Sequence, residues 1–232
     1  MSKLFLAIIC LIGVAILSGT FIQRHALACE FLPFSNYAQI QDDVFIDSDF
    51  NKLQREVFKS ELDSAIKRIT ETYGALNSSP FIVATSSAEE AKKWGANATA
   101  TMHRMPWRAC IVIGPEGQNV DVIAHEWLHA EIMERVGFFR FLSEIPVWFD
   151  EGVALTVDHR APFRPENIEM TEAEISRVRN HRRGKDFFSG NVRRNYQAAR
   201  MAVEPLVLSR TLYEELERIN AGESFTQIYA LE

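Results

Sequence analysis

The sequence predicts an α+β fold: a sheet-containing first half, a buried helix laid against that sheet, and a mainly helical second half. Three observations predict it. Strand-like segments run through Pro80–Ala84 and again between residues 99 and 113, with β-branched and apolar residues bounded by turn formers. From about Asn119 to Val136 apolar residues occupy most sides of a helical pattern, which marks a helix covered on both sides. From residue 145 onward the periodic segments are helical and the intervals between them are loop-like.

The chain has 232 residues, 47% hydrophobic and 24% charged. That is enough for one well-formed core with a helical extension, and too little for several unrelated domains. A net charge of −6 argues against a nucleic-acid surface, which needs a basic excess to neutralise phosphates. A peptide, protein or small-molecule partner fits better.

Residues 1–29 form an N-terminal anchor or signal segment, and 30–232 form the domain, divided into a sheet-containing half (30–137) and a helical half (138–232). Leu4 to Ile22 is an uncharged run of 19 residues, just long enough to cross a hydrocarbon core of about 30 Å. Ala26-Leu27-Ala28 before Cys29 has the small-x-small form of a signal-peptidase site. Three readings stand: an uncleaved anchor, a cleaved signal, and acylation of Cys29. Each places the domain outside the cytosol, membrane-anchored, secreted or lipid-anchored. Cys10 lies within the apolar run. A Cys29–Cys110 disulfide is permitted in an oxidising compartment, although nothing in the spacing requires it.

In order along the domain, Glu30–Gln41 reads as a linker and Val44–Ile46 as a short strand. Asp47-Ser48-Asp49 offers caps for a long amphipathic helix whose apolar positions include Phe50, Leu53, Val57, Leu62, Ala65, Ile69 and Tyr73. Gly74 ends it. After the strand at 80–84, Ser87 caps a short helix that stops at Gly95. Thr99–His103 and Arg108–Ile113 form a hairpin around Met105-Pro106-Trp107. Its arms are either internal strands or include a sheet edge where an extended peptide could add.

The second half begins with Phe138–Leu142, read as an apolar connection. Ser143 caps a helix over Ile145–Val157, with Pro146 in its first turn. Thr171 and Glu174 form a capping box. Between Arg177 and Arg194 seven Lys or Arg face the single acid Asp186, a solvated loop or a contact for an acidic surface. The tail holds a helix through Val203, another over Arg210–Ile219, and a last turn capped by Ser224 with Gln227.

The chemistry gathers in His125-Glu126-Trp127-Leu128-His129. Two histidines four apart lie on one helical face and can both reach one ion at about 2.0–2.1 Å. Glu126 stands one step round the helix, placed to take a proton from water activated by that ion. Glu151, 22 residues after His129, is the candidate third ligand, which leaves a fourth position open, as in a catalytic site. Gly152 beside it sits in a helix interior, where Gly costs about 1 kcal/mol relative to Ala, and so suggests that two helices approach closely to share the ion. Asp150 and Asp158 are alternative ligands. Asp150 is otherwise a partner orienting a histidine N–H.

His125–His129 together with Pro146-Val147-Trp148-Phe149-Asp150-Glu151-Gly152-Val153-Ala154 resembles the gluzincin-type zinc metallopeptidases, in particular the small bacterial peptidase-MA-like domains. The ending from Tyr213-Glu214-Glu215-Leu216 to Gly222-Glu223-Ser224-Phe225 is similar to their helical tail. The resemblance covers roughly residues 80 to 230. It implies a zincin-like fold with a mixed β-sheet on the HExxH helix, a Zn²⁺ cofactor held by His125, His129 and Glu151, and peptide-bond hydrolysis with Glu126 as catalytic base. By the same resemblance Tyr196 is the first candidate for oxyanion stabiliser and His181 the second. Ile132 and Arg135 stand where the metzincin pattern needs Gly and His, which excludes that branch.

The expected function is a membrane-tethered extracytoplasmic zinc metallopeptidase acting on a peptide or protein substrate, with no nucleic-acid partner. The alternative is a zinc-binding envelope interaction or assembly protein that keeps the fold with little or no turnover. Against a third reading, an intramembrane protease, the histidine helix is short and carries Asp121, Glu131, Glu134 and Arg135.

Overall fold

A computed structural model describes residues 23–207 and 210–230. The uncharged run Leu4–Ile22, and Cys10 within it, lie outside these residues. Among the described residues no helix is long and apolar enough to cross a membrane. The fold is mixed α/β, with a five-stranded mixed sheet and many helices.

The chain enters through α1 (Arg24–Cys29) and a 3₁₀ turn (Leu32–Phe34). Ala26, Cys29 and Leu32 are buried against the sheet, so the segment 26–29 that resembles a processing site is an ordered part of the domain. The expected linker is likewise structured: Ala38–Gln41 is strand β1, paired antiparallel with β2 (Val44–Ile46). Its alternation of Ala38 and Ile40 with Gln39 and Gln41 is the strand period, but it lasts only four residues. Asp43 takes a left-handed conformation (φ 59°) in the turn between them.

Helix α2 runs Lys52–Tyr73, and its cap is Asn51, in a capping box with Gln54. Asp47 accepts instead from the backbone of Asp49 and Ser86. The buried face is Phe58, Leu62, Ala65, Ile69 and Tyr73. Leu53 and Val57 are exposed, because Phe58 sets the phase of the buried stripe one residue later.

Strand β3 (Phe81–Ala84), α3 (Ala88–Lys93) and the hairpin β4 (Ala100–Met105) and β5 (Arg108–Ile113) complete the sheet, in the order β1-β2-β3-β5-β4. β3 is parallel to β2 and β5, and β4 is antiparallel to β5 with Met105 opposite Arg108. β4 is therefore a sheet edge. Alternation divides the strands between two cores. Ile46, Ile82, Ile111 and Ile113 join α2 on one face; Phe45, Phe81, Val83, Cys110 and Val112 join α1 and α3 on the other. On that second face Cys29 and Cys110 form a disulfide.

Helix α4 (Val120–Val136) is capped by Asn119, whose side chain accepts from Val122 N–H. It is buried on nearly every side, between the sheet layer and the later helices. Its far end is fixed by Glu131, fully buried, which accepts from the backbone of Asn77 and Ser78 and from Arg135. The expected connection 138–142 is itself a helix, α5 (Phe138–Glu144), and Ser143 belongs to its last turn. Pro146 then caps α6 (Val147–Ala154), which ends three residues before the expected Val157. The basic segment is also partly helical: α7 (Glu172–Val178), α8 (Gly184–Phe187) and α9 (Val192–Val203) run through it. α10 (Leu212–Asn220) and α11 (Phe225–Ile228) close the fold, the last with the Ser224–Gln227 capping box.

Candidate metal centre

Two buried helices meet at the centre of the molecule. α4 presents His125 and His129 one turn apart, and α6 brings Glu151 across them. The two Nε2 atoms are 3.1 Å apart, and Glu151 Oε2 lies 3.4 Å from each. All three residues are buried, and they form a group able to hold a metal ion. Three donors at the corners of a tetrahedron around an ion at 2.0–2.1 Å are separated by about 3.3 Å, close to the edges seen here.

A single N–H···N bond would account for the pair of imidazoles. It would leave Glu151 Oε2 unexplained, since that atom is buried with no hydrogen-bond partner. Burying an unpaired carboxylate oxygen is costly. A cation at the common focus of the three donors resolves that cost, so the residues present fit a metal ion of the type that imidazole and carboxylate favour.

The surroundings orient the rings. Asp150 Oδ1 is 2.8 Å from His129 Nδ1, and Arg104 of β4 reaches the other oxygen of Asp150 at 3.3 Å. Held in this way, the His129 ring meets Asp150 through Nδ1 and points Nε2 at the common focus. Behind His125, Asp158 Oδ2 stands 3.7 Å from Nδ1, within ion-pair range but short of a hydrogen bond. Arg160 grips both oxygens of Asp158. Asp150 and Asp158 thus lie behind the rings, on the side away from the focus, and are not ligands.

Electrostatics follow from this packing. Burial opposes ionisation of Glu151, but the His129 and His125 imidazoles beside it hold its carboxyl far below the usual range. Burial likewise opposes protonation of His129, and Asp150 and Glu151 overcome it, carrying the ring well above its ordinary value. Glu126, by contrast, is pushed up mainly by burial.

A cleft of about 600 Å³ opens on the centre. Glu126 lines it beside both histidines, Ala100, Thr101, Met102 and Arg104 of β4 form one wall, and Tyr196 of α9 stands opposite. The Tyr196 ring is 6.5 Å from that of His125 and is packed by Phe163, Phe187 and Phe188. Burial, reinforced by Glu151 and Glu126, raises its hydroxyl far above the ordinary phenol value, so it keeps its proton. The structure therefore brings together His125, Glu126, His129, Glu151 and Tyr196. His181 sits in the turn after α7 and does not line this cleft.

Gly152 does mark a close approach, but its partner is not α4. A Cβ at 152 would stand 2.5 Å from the carbonyl oxygen of Ala199 and 2.7 Å from Val203 Cγ1, so the glycine lets α6 meet α9, the helix that carries Tyr196. Arg104 and Arg160 were not singled out from the sequence. The alternation of Ala100, Met102 and Arg104 along one face of β4 was the available signal for the first. Comparison with family models, with curated proteins and with solved structures finds no match for this chain.

Proposed function

We propose that this chain is a membrane-tethered extracytoplasmic zinc metallopeptidase of the gluzincin type, with a zincin-like arrangement of sheet and active-site helix. The observation that carries the reading is the convergence of His125 Nε2, His129 Nε2 and Glu151 Oε2 on one point, with the carboxyl of Glu126 in the same cleft. A zinc ion held by these donors supplies Lewis acidity and makes a nucleophilic water accessible near neutral pH.

The chain's own residues account for the remaining work. An extended peptide adds to the edge of β4, which places a backbone carbonyl in the cleft. Glu126 takes a proton from the attacking water and delivers it to the departing amine. Tyr196 keeps its O–H and donates it to the oxygen on which negative charge develops. The Phe163, Phe187 and Phe188 rings fix the position of that hydroxyl.

The Cys29–Cys110 disulfide supports a location in an oxidising compartment. It also engages the sulfur that a lipid anchor would need, which favours retention of the Leu4–Ile22 run as the tether. The test is metal content and peptide cleavage together. Purified protein should carry one equivalent of zinc, lost in Glu151→Ala, and should cleave a peptide library in a manner abolished by chelator and restored by zinc. Zinc binding without any cleavage would favour the envelope interaction protein instead.

A further inference from the structure

Five large apolar side chains are exposed on three segments that meet at the tip of the β4–β5 hairpin: the 3₁₀ turn after α1, the tip itself and α5. Phe31 precedes the 3₁₀ turn after α1 and Phe34 is its last residue; they are 67% and 86% exposed. Trp107 forms the tip of the β4–β5 hairpin, 60% exposed, and its Nε1 donates to Glu30 at 2.9 Å, which ties the tip to that turn. Trp107 and Phe138 line one shallow cavity, and the Phe138 ring is 5.3 Å from that of Phe139. Phe139 and Leu142, three apart on α5, are exposed as well.

We propose that this face docks on the lipid bilayer, with Phe31, Phe34, Trp107, Phe139 and Leu142 seated in the membrane interface. Soluble chains rarely expose so many large apolar groups in one place without a partner, and aromatic rings with a polar handle favour the headgroup region. Two features select the bilayer as occupant. The uncharged run Leu4–Ile22 ends immediately before α1, and Cys29 of α1 is bonded to Cys110 of the strand that follows Trp107. The exit of the tether, the 3₁₀ turn and the hairpin tip are therefore one unit. Apart from Trp107, which also lines the cavity beside Phe138, the apolar groups come from a turn and the outside of a helix.

The consequence is orientation. A single tether leaves a domain free to tumble, whereas a tether plus an interfacial face fixes the direction of the cleft relative to the membrane. Substrates would then be chain segments presented close to the bilayer surface. This inference rests on the reading of Leu4–Ile22 as membrane-inserted, and the experiment separates the two.

The full chain is reconstituted into vesicles of phosphatidylcholine and phosphatidylglycerol with brominated acyl chains, and tryptophan fluorescence is compared with that in unbrominated vesicles. Of the four tryptophans none lies in the apolar run, Trp127 and Trp148 are buried and Trp94 is half-buried, so it is the part of the quenching lost in Trp107→Phe that reports on the docking face. The expected result is lipid-dependent quenching that is lost in Trp107→Phe and weakened in Phe34→Ser, with both variants still sedimenting with the vesicles. Sedimentation with equal quenching in wild type and Trp107→Phe overturns the docking face and leaves the tether standing. A chain that does not sediment overturns both. Shielding of Trp107 from aqueous iodide without quenching by the lipid assigns the face to a second copy or to the chain's own apolar run, and also overturns the proposal.

Discussion

Gly152 of α6 lies against the backbone of Ala199 in α9, close enough that a Cβ would stand 2.5 Å from the Ala199 carbonyl oxygen. Its neighbour Glu151 is one of the three converging donors, and three residues before Ala199 stands Tyr196. Gly152→Ala sets two effects in opposition. Helix propensity favours Ala by about 1 kcal/mol, whereas forcing the helices apart costs about 1–3 kcal/mol. The backbone oxygen has no freedom to rotate away, so the steric cost wins. Thermal unfolding of Gly152→Ala should show a net loss, and zinc affinity should fall as Glu151 shifts. Unchanged values for both would mean that the glycine is incidental.

Asp150 makes a second prediction about the same helix. Its carboxylate fixes the His129 ring from behind and is itself held by Arg104. Loss of such an orienting partner lowers metal affinity by roughly 10- to 100-fold. Asp150→Ala should therefore still bind zinc, but more weakly by that factor in competition with a chelator of known affinity. His129→Ala should abolish binding. Equal affinity in Asp150→Ala and wild type would remove the aspartate from the design of the site.

The pattern of what the sequence reveals follows from range. The His125–His129 pair, the Thr171–Glu174 and Ser224–Gln227 capping boxes and the hairpin at Pro106–Trp107 depend on residues within a few positions of each other, and each can be read locally. The Asn51–Gln54 capping box of α2 is equally local, but Asp47 and Asp49 offered competing caps, and only the tertiary bond from Ser86 N–H to Asp47 shows that Asp47 is engaged elsewhere. The true neighbour of Gly152 was hidden for the same reason, since Ala199 is distant in sequence. β1, with the alternation Ala38-Gln39-Ile40-Gln41, is only four residues long, too short for its period to stand out from the loop around it. The grip of Arg104 on Asp150 becomes visible only once β4 is seen at the edge of the sheet above α6.

The disulfide should matter to the stability of the whole domain. It joins residues 81 apart, and closing so long a loop in the unfolded chain corresponds to about 2–4 kcal/mol in typical cases. Cys29→Ser with Cys110→Ser should lower the unfolding free energy of the oxidised protein by that order. A reductant should destabilise the wild type but leave the double variant unaffected. Equal sensitivity of the two proteins to reductant would show that the bond contributes nothing.

Glu174 offers a pH-dependent prediction away from the metal centre. It accepts from Thr171 N–H in the capping box and from Arg194 of α9, and these contacts, the backbone bond first, lower its carboxyl from 4.5 to about 2. A depressed value in the folded state means that the contribution to stability is complete above about 4.5 and disappears as the pH falls towards about 2. Glu174→Gln should therefore be less stable than the wild type near neutrality, converge with it as the pH falls towards about 2, and so show a flatter acid limb within that window. An acid limb identical to that of the wild type would contradict the assignment.

Glu126 and Tyr196 share the cleft with the three donors but differ in what their removal should do. Glu126→Gln keeps the shape of the side chain and removes its ability to accept a proton. Zinc content should stay at one equivalent while kcat falls by at least 10²- to 10⁴-fold, the usual weight of a general base. Tyr196→Phe keeps the ring packed among Phe163, Phe187 and Phe188 and deletes only the donor. Loss of one such donor lowers kcat by about 10²- to 10³-fold. If the hydroxyl acts only as charge develops, KM for a peptide should be unchanged; if it binds the ground-state carbonyl, KM should rise instead. A Tyr196→Phe protein with wild-type kcat and KM would assign the ring to packing alone, and a fully active Glu126→Gln would sink the mechanism itself.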